Sequence, residues 1–173
     1  MNAITNPKLI DFHLGHGGDH KGRLISDLWR MPCAWLEQSH DYIQWLFPTP
    51  EPSKFNPFAP LLTPQVQEAF AQHTQMQQHQ LRSLDLMLEL YGISRDEGVI
   101  TASSELNTAR KMWLKSTSHH HLRITRIIRS LALCHQGELA SALLRCVTGM
   151  ARADGAVSDK GIGYWQWASA PGM

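Results

Sequence analysis

Apolar residues recur at helical spacing along most of the chain, and the recurrence predicts a succession of helices. Leu24, Ile25, Leu28 and Trp29 place a short helix near residues 22–30. Trp35, Leu36, Tyr42, Ile43, Leu46 and Phe47 extend one stripe through a second helix from about Pro32 to Leu46. Pro48 stops it, because its ring disfavours helical geometry at the residue before it. Thr63-Pro64 is a helix start, with Thr63 as cap and Pro64 in the first turn. Val66, Phe70, Leu81, Leu84, Leu88 and Tyr91 then share a face, and Gly92 supplies the stop. The middle of that run, Gln72 to Gln80, is polar nearly all round. It reads as one long helix with a wet waist, or as two helices broken near 74–78.

Further along, Leu106, Ala109, Met112 and Trp113 form a short helical stripe. Ile124, Ile127, Ile128 and Leu131 define a helix from about His119 to His135, with Gly137 ending it. Leu139, Ala140, Leu143, Leu144, Val147 and Ala151 define the next. Ser158 caps a last helix over residues 159–168, carrying Tyr164, Trp165 and Trp167. Residues 93–103 read as a loop, and only Val99-Ile100-Thr101 suggests a short extended piece. The expected fold class is all-α, a compact multi-helix domain.

Residues 48–64 hold Pro48, Pro50, Pro52, Pro57, Pro60 and Pro64, interleaved with Phe55, Phe58, Leu61 and Leu62. The apolar side chains can pin such a segment to a helical core, and proline leaves it little unfolded-state entropy to lose. It is expected to be an ordered Pro-rich connection between the early helices. Residues 1–20, with Gly15-His16-Gly17-Gly18-Asp19-His20, are expected to be a flexible or irregular lead-in. Residues 21–170 are then one helical domain.

Composition narrows function only by exclusion. Lys and Arg number 16 against 15 Asp and Glu, a formal charge of +1. No global field attracts nucleic acid or a membrane surface, so either would need a local patch. The three cysteines, Cys33, Cys134 and Cys146, form no CxxC pair and suit a reducing compartment. No secretory signal or membrane-length apolar run is visible. A cytoplasmic protein is expected, with no transmembrane segment.

Two stretches carry the candidate chemistry. On a helix, Glu37, Asp41 and Trp45 stack at four-residue spacing, with His40 and Gln44 in the adjacent row. Trp45 then points away from the apolar stripe and needs a cover: the Pro-rich segment, or a ligand. In the second stretch, Arg123, Arg126 and Arg129 stand three apart beside the isoleucine stripe. Their planar forks suit a phosphate or carboxylate, or one of them reaches Asp41 or Glu37 in an internal pair. His119-His120-His121 lacks metal-ligand spacing on one helix face, and no metal or other cofactor is expected. Tyr164, Trp165 and Trp167 close a core or form a recognition surface.

The run from Leu36-Glu37 through His40-Asp41-Tyr42-Ile43-Gln44-Trp45-Leu46-Phe47-Pro48, followed by Asn56, Ala59-Pro60 and Leu62, resembles the conserved N-terminal region of the opioid growth factor receptor family. Leu88, Tyr91-Gly92, Trp113, the run His120 to Leu131 with Arg123-Ile124-Thr125-Arg126-Ile127, Tyr164-Trp165 and Ala168 extend the resemblance across residues 24–168. The resemblance implies a binding or interaction domain. Animal members are described as receptors for enkephalin-type opioid peptides that associate with the nuclear envelope, and they are unrelated to seven-helix opioid receptors. It brings no catalytic residues with it. This short chain reads as a single-domain relative of microbial kind.

The expected function is recognition of a peptide, a protein or a small anionic ligand. The expected site residues are His40, Asp41, Gln44, Trp45, Asn56, Trp113, His120, Arg123, Arg126 and Arg129. The helix near 34–46 is expected to pack on the helix near 120–134, bringing His40 and Asp41 to the arginines. A structural protein–protein interaction domain is the alternative, followed by an enzyme using His, Asp and Arg in a helical cleft. Nucleic acid is not an expected partner.

Overall fold

A computed structural model describes residues 7–54, 56–103 and 110–170. The chain is mostly helical, with one small two-stranded sheet. It divides into two compact units, Met1–Leu84 and Asp85–Met173, the division falling within one helix.

The first unit begins with α1, Pro7–Leu14, in the stretch expected to be irregular. The helix is there because Leu9, Phe12 and His13 bury one face completely. Next come α2 (Ile25–Leu28), α3 (Cys33–Gln38) and α4 (Ile43–Leu46). The helix expected over Pro32 to Leu46 is thus two pieces. Ser39 turns to extended backbone, and the Tyr42 hydroxyl donates to the Leu36 carbonyl at 2.7 Å, satisfying an acceptor that a longer helix would have used. Between α4 and the next helix, Leu62 N–H donates to the Thr49 carbonyl at 3.0 Å, and Thr49 bridges Leu61. Phe55 lies outside the described residues.

The polar waist resolves as a break. α5, Pro64–Gln72, starts as expected: the Thr63 hydroxyl accepts from Val66 N–H, with Pro64 in the first turn. His73 then leaves helical geometry, and α6 runs Thr74–Tyr91. The Gln77 amide donates to the Phe70 carbonyl at 2.7 Å, replacing a hydrogen bond that the break removes. Gly92 at φ +71 provides the turn after α6.

In the second unit, the expected loop over 93–103 is a hairpin. β1, Ile93–Asp96, pairs antiparallel with β2, Val99–Ala102, through a two-residue turn at Glu97-Gly98. Ile93 and Ile100 bury their side chains while their neighbours face outward, so a two-residue alternation is present but only four residues long. That brevity hides it from a periodicity reading. Leu106 and Ala109 lie outside the described residues, and Met112 and Trp113 sit in a 3-10 turn, Arg110–Leu114. Three helices follow: α7 (His119–Leu133), α8 (Gly137–Asp154) and α9 (Asp159–Ala168). α7 packs on both α8 and α9, and β2 packs on α8. The cap expected at Ser158 is present, its hydroxyl accepting from Gly161 N–H.

Gly137 does not end α7. His135 takes the left-handed position at φ +62, and Gln136 N–H closes the turn on the Leu131 carbonyl at 2.9 Å. Gly137 opens α8 instead. Left-handed backbone costs a side-chain-bearing residue about 1 kcal/mol relative to glycine. His135→Gly is therefore expected to stabilise the protein by up to about 1 kcal/mol, measured as a higher denaturant midpoint with an unchanged slope.

Candidate functional site

The residues singled out in the first unit gather where the Gly-rich loop folds over α4. Asp19, almost fully buried, organises that loop. Its carboxylate accepts from Lys21 N–H at 2.9 Å, Arg23 N–H at 3.0 Å and Arg23 Nε at 2.7 Å. Gly18 is required here, because a Cβ would sit 2.6 Å from the Gly22 carbonyl carbon. The loop thereby presents His20, Lys21 and Arg23 to one acceptor. Asp41 Oδ2 lies 2.6 Å from Lys21 Nζ and 3.4 Å from His20 Nε2, and Arg23 Nη2 donates to Oδ1 at 3.2 Å. Burial, the largest single effect, pushes the Asp41 carboxyl up. The Lys21 hydrogen bond and the Arg23 guanidinium together outweigh it and hold the group below its ordinary range. The spacing offered Asp41 to arginines of α7; the two ion pairs, with Lys21 and Arg23, and the His20 contact come from the loop.

Trp45 is buried, and the observed cover includes α1 and the loop. The Phe12 ring meets it edge-on at 5.3 Å, Lys8 Nζ sits 5.6 Å from its centroid, and His20 stacks at 6.1 Å. The other face of His20 stacks on Phe58 at 5.7 Å, and Phe58 is 67% exposed, so the sandwich opens to solvent at that end. Two polar atoms inside it, Trp45 Nε1 and His20 Nδ1, are buried without a hydrogen-bond partner among the described residues. Buried groups of this kind are uncommon and call for a reason. Gln44 and Asn56 serve the scaffold: Asn56 Nδ2 donates to Gln44 Oε1 at 3.2 Å, and Asn56 Oδ1 accepts from Phe58 N–H at 3.0 Å. Together they hold Phe58 where His20 can stack on it. His40 is exposed.

Beneath the site, His13 Nε2 donates to the Trp45 carbonyl at 2.8 Å, and His79 Nδ1 donates to the His13 carbonyl at 2.7 Å. Complete burial drives the His13 pKa down to about 3, against the raising effect of the Trp45 carbonyl and with a further lowering by His79. His13 is therefore neutral throughout the physiological range.

In the second unit, Trp113 and His120 belong to an aromatic cluster with internal hydrogen bonds. Trp113 Nε1 donates to the Tyr91 carbonyl at 2.8 Å, His121 Nε2 donates to the Trp113 carbonyl at 2.6 Å, and Trp165 Nε1 donates to the His121 carbonyl at 3.1 Å. His120 Nδ1 lies 3.3 Å from the Tyr91 hydroxyl. Trp165 thus closes a core, whereas Tyr164 and Trp167 are about half exposed. Arg123 is buried, and Arg126 and Arg129 are half-buried. None of the three is free, and the Arg129 guanidinium lies 4.3 Å from the centre of the Trp167 ring.

The structure brings Asp41, Trp45, Gln44 and Asn56 together in one unit and Trp113 and His120 together in the other. The residues not foreseen are Asp19, His20, Lys21, Arg23 and Phe58. One signal was legible: an Asp among glycines, followed by donors two and four residues on, is the pattern of a side-chain-closed turn.

The family described as the opioid growth factor receptor conserved region matches residues 21–168. Opioid growth factor receptors are similar over part of their length. The mouse protein is 40% identical over 116 residues, 64% of this chain and 18% of the relative. The human protein is 42% identical over 115 residues, 64% of this chain and 17% of the relative. The rat opioid growth factor receptor-like protein 1 is 31% identical over 124 residues, 71% of this chain and 26% of the relative. The chain therefore spans roughly a fifth of the curated relatives it matches. No solved structure matches it. Among the described residues, no helix is long and apolar enough to cross a membrane.

Two outcomes are expected from this geometry. Unfolding lets His13 bind a proton below its ordinary value of 6.5, while the folded protein resists protonation down to about 3. Stability then falls as pH drops below 6.5, by up to about 1.4 kcal/mol per pH unit from this group. Denaturant titrations across that range should show the slope, and His13→Gln should flatten it. Asp41, held low, contributes stability that is complete above its ordinary value of 3.8 and lost as pH falls through the folded value. Asp41→Asn is expected to cost about 1 kcal/mol at neutral pH, the figure for a solvent-screened ion-pair network, with the gap from the parent closing in acid.

Proposed function

Because this chain belongs to the family of the opioid growth factor receptor conserved region, we propose that it is a binding domain that recognises a peptide or small anionic ligand at the aromatic sandwich of its first unit. The observation that carries this reading is the pair of buried atoms without partners among the described residues, Trp45 Nε1 and His20 Nδ1, in a stack ending on exposed Phe58, with Lys21 following His20 in the chain. An acceptor on a ligand would meet the indole N–H, and a negative group would meet Lys21. Asp41 and His40 act here as positioning and rim residues, with Gln44 and Asn56 holding the outer ring of the stack. The relatives are named as receptors for an opioid growth factor; to this chain we extend the binding of a partner. In the second unit the candidates Trp113, His120, Arg123, Arg126 and Arg129 are already engaged and rank behind the sandwich. On this reading the chain is cytoplasmic, and residues 48–64 are an ordered Pro-rich connection that carries Phe58 to the sandwich.

A structural interaction role is the second reading, favoured by the half-exposed Tyr164 and Trp167 with Arg129 stacked on the latter. An enzyme is disfavoured by Asp41 itself, whose carboxyl is held below its ordinary range by Lys21 and Arg23 and makes a poor proton acceptor at neutral pH.

The test is a screen of peptides, metabolite anions and nucleotides by native mass spectrometry and thermal shift. The wild type is expected to retain a peptide or anion that Lys21→Glu and Trp45→Phe both lose while keeping a cooperative melt. A ligand lost only in Arg126→Ala would move the site to the second unit. An empty screen would overturn the ligand reading in favour of the structural role.

A further inference from the structure

The α8 helix carries a feature that neither the family comparison nor the aromatic sandwich uses. Three depressions follow its outer face, of about 460, 330 and 360 Å³, and Arg145 lines all three. The first adjoins Gly137, Glu138 and Ser141, with Gly98 from the hairpin turn on its rim. The last runs past Thr148 and Gly149 to Arg152, with Gln166 of α9 as its far wall. From Gly137 to Arg152 the track is about 22 Å long at the helical rise.

Its chemistry is that of an unfilled site. Arg145 and Arg152 are exposed, and neither has an ion-pair or hydrogen-bond partner among the described residues. They stand two helical turns apart on one face, about 10.5 Å along the axis. Between them the Thr148 hydroxyl oxygen is buried with no partner, although a helical threonine can ordinarily bond the carbonyl one turn back. Beside it Gly149 occupies a helix interior, where alanine is the better helix former. A Cβ there would meet nothing within 4 Å, so packing does not demand the glycine. Its bare backbone leaves open surface on the face that carries Arg145 and Arg152.

We propose that this groove binds an extended acidic peptide segment, with two carboxylates on Arg145 and Arg152 and an apolar side chain over Gly149. The occupant is identified by charge and reach. Two exposed cations without partners among the described residues, about 10.5 Å apart along the helix axis, suit two anions at a similar spacing, and a polyproline II chain places residues i and i+3 on one edge about 9.3 Å apart. Glu138 at the opposite end sets the polarity, disfavouring a third acidic group there and resisting a uniform polyanion such as nucleic acid. This site is independent of the sandwich, and either can fail alone.

The test uses the full chain and a synthetic peptide of repeating Glu-Pro-Leu units, followed by amide-resolved NMR titration. Shifts are expected to concentrate on residues 145–152 and Gln166, and to weaken with added salt. Arg145→Glu and Arg152→Glu should each lower affinity by about tenfold or more. Gly149→Leu, which covers the open surface between the two arginines, should also weaken binding. Both arginines are exposed, so the reversals should keep the parent melting curve; Arg145→Gln and Arg152→Gln serve if they do not. Four results would overturn the proposal: no shifts at millimolar peptide, equal binding of the Lys-Pro-Leu peptide, affinity unchanged in both arginine variants, or equal displacement by inorganic phosphate or a DNA oligonucleotide.

Discussion

The first unit depends on Arg23 bridging two carboxylates. Its Nε reaches Asp19 at 2.7 Å, its Nη2 reaches Asp41 at 3.2 Å, and its guanidinium lies 5.5 Å from the centre of the Trp35 ring. A planar cation with several fixed donors can hold two anions and one aromatic face at once; a lysine could not. The bridge fixes the Gly-rich loop, and the loop delivers His20 onto Trp45 and Lys21 onto Asp41. Helix geometry gives way to it as well. Were residues 33–46 one helix, Asp41 would follow the register of that helix; the interruption at Ser39 releases it to face the loop.

A second principle runs through both units: aromatic residues bring polar atoms into the interior, and those atoms recruit backbone groups. Trp113, Trp165 and His121 donate to carbonyls in the second unit, as His13 and His79 do in the first. Each such bond avoids the cost of an unpaired buried group and fixes the ring that carries it. Against this well-satisfied background the exceptions stand out. Trp45 Nε1, His20 Nδ1 and Thr148 Oγ1 are unmatched, and each lies beside an exposed feature, whether Phe58 or the α8 groove. His13 Nδ1 is also unmatched, and there complete burial keeps the ring neutral.

The arginines of the chain divide along the same line. Those of α7 stand beside an apolar stripe and are engaged: Arg123 is buried, and Arg129 stacks on Trp167. Those of α8, Arg145 and Arg152, are exposed and have no ion-pair or hydrogen-bond partner among the described residues. A guanidinium with partners contributes to the fold, while an exposed one without them is free to meet a ligand. Spacing along the helix does not separate the two cases, since either set shares a face.

The sequence by itself determined that the chain is helical, where several helices begin, and which family it joins. Thr63 and Ser158 act through neighbours only three residues away, and Pro64 and Gly92 through their own backbone geometry; such local effects survive without knowledge of the fold. The family strings around Asp41 and Arg123 were equally legible. Tertiary structure alone decided the rest. Whether α5 and α6 are one helix turned on whether Gln77 could replace a lost hydrogen bond, and α1 exists because its apolar face finds cover. The four-residue strands of the hairpin were too short to show a period. Which cations meet Asp41, and what covers Trp45, depend on groups eighteen or more residues apart meeting in space, and no spacing rule encodes the charge or shape complementarity that selects them.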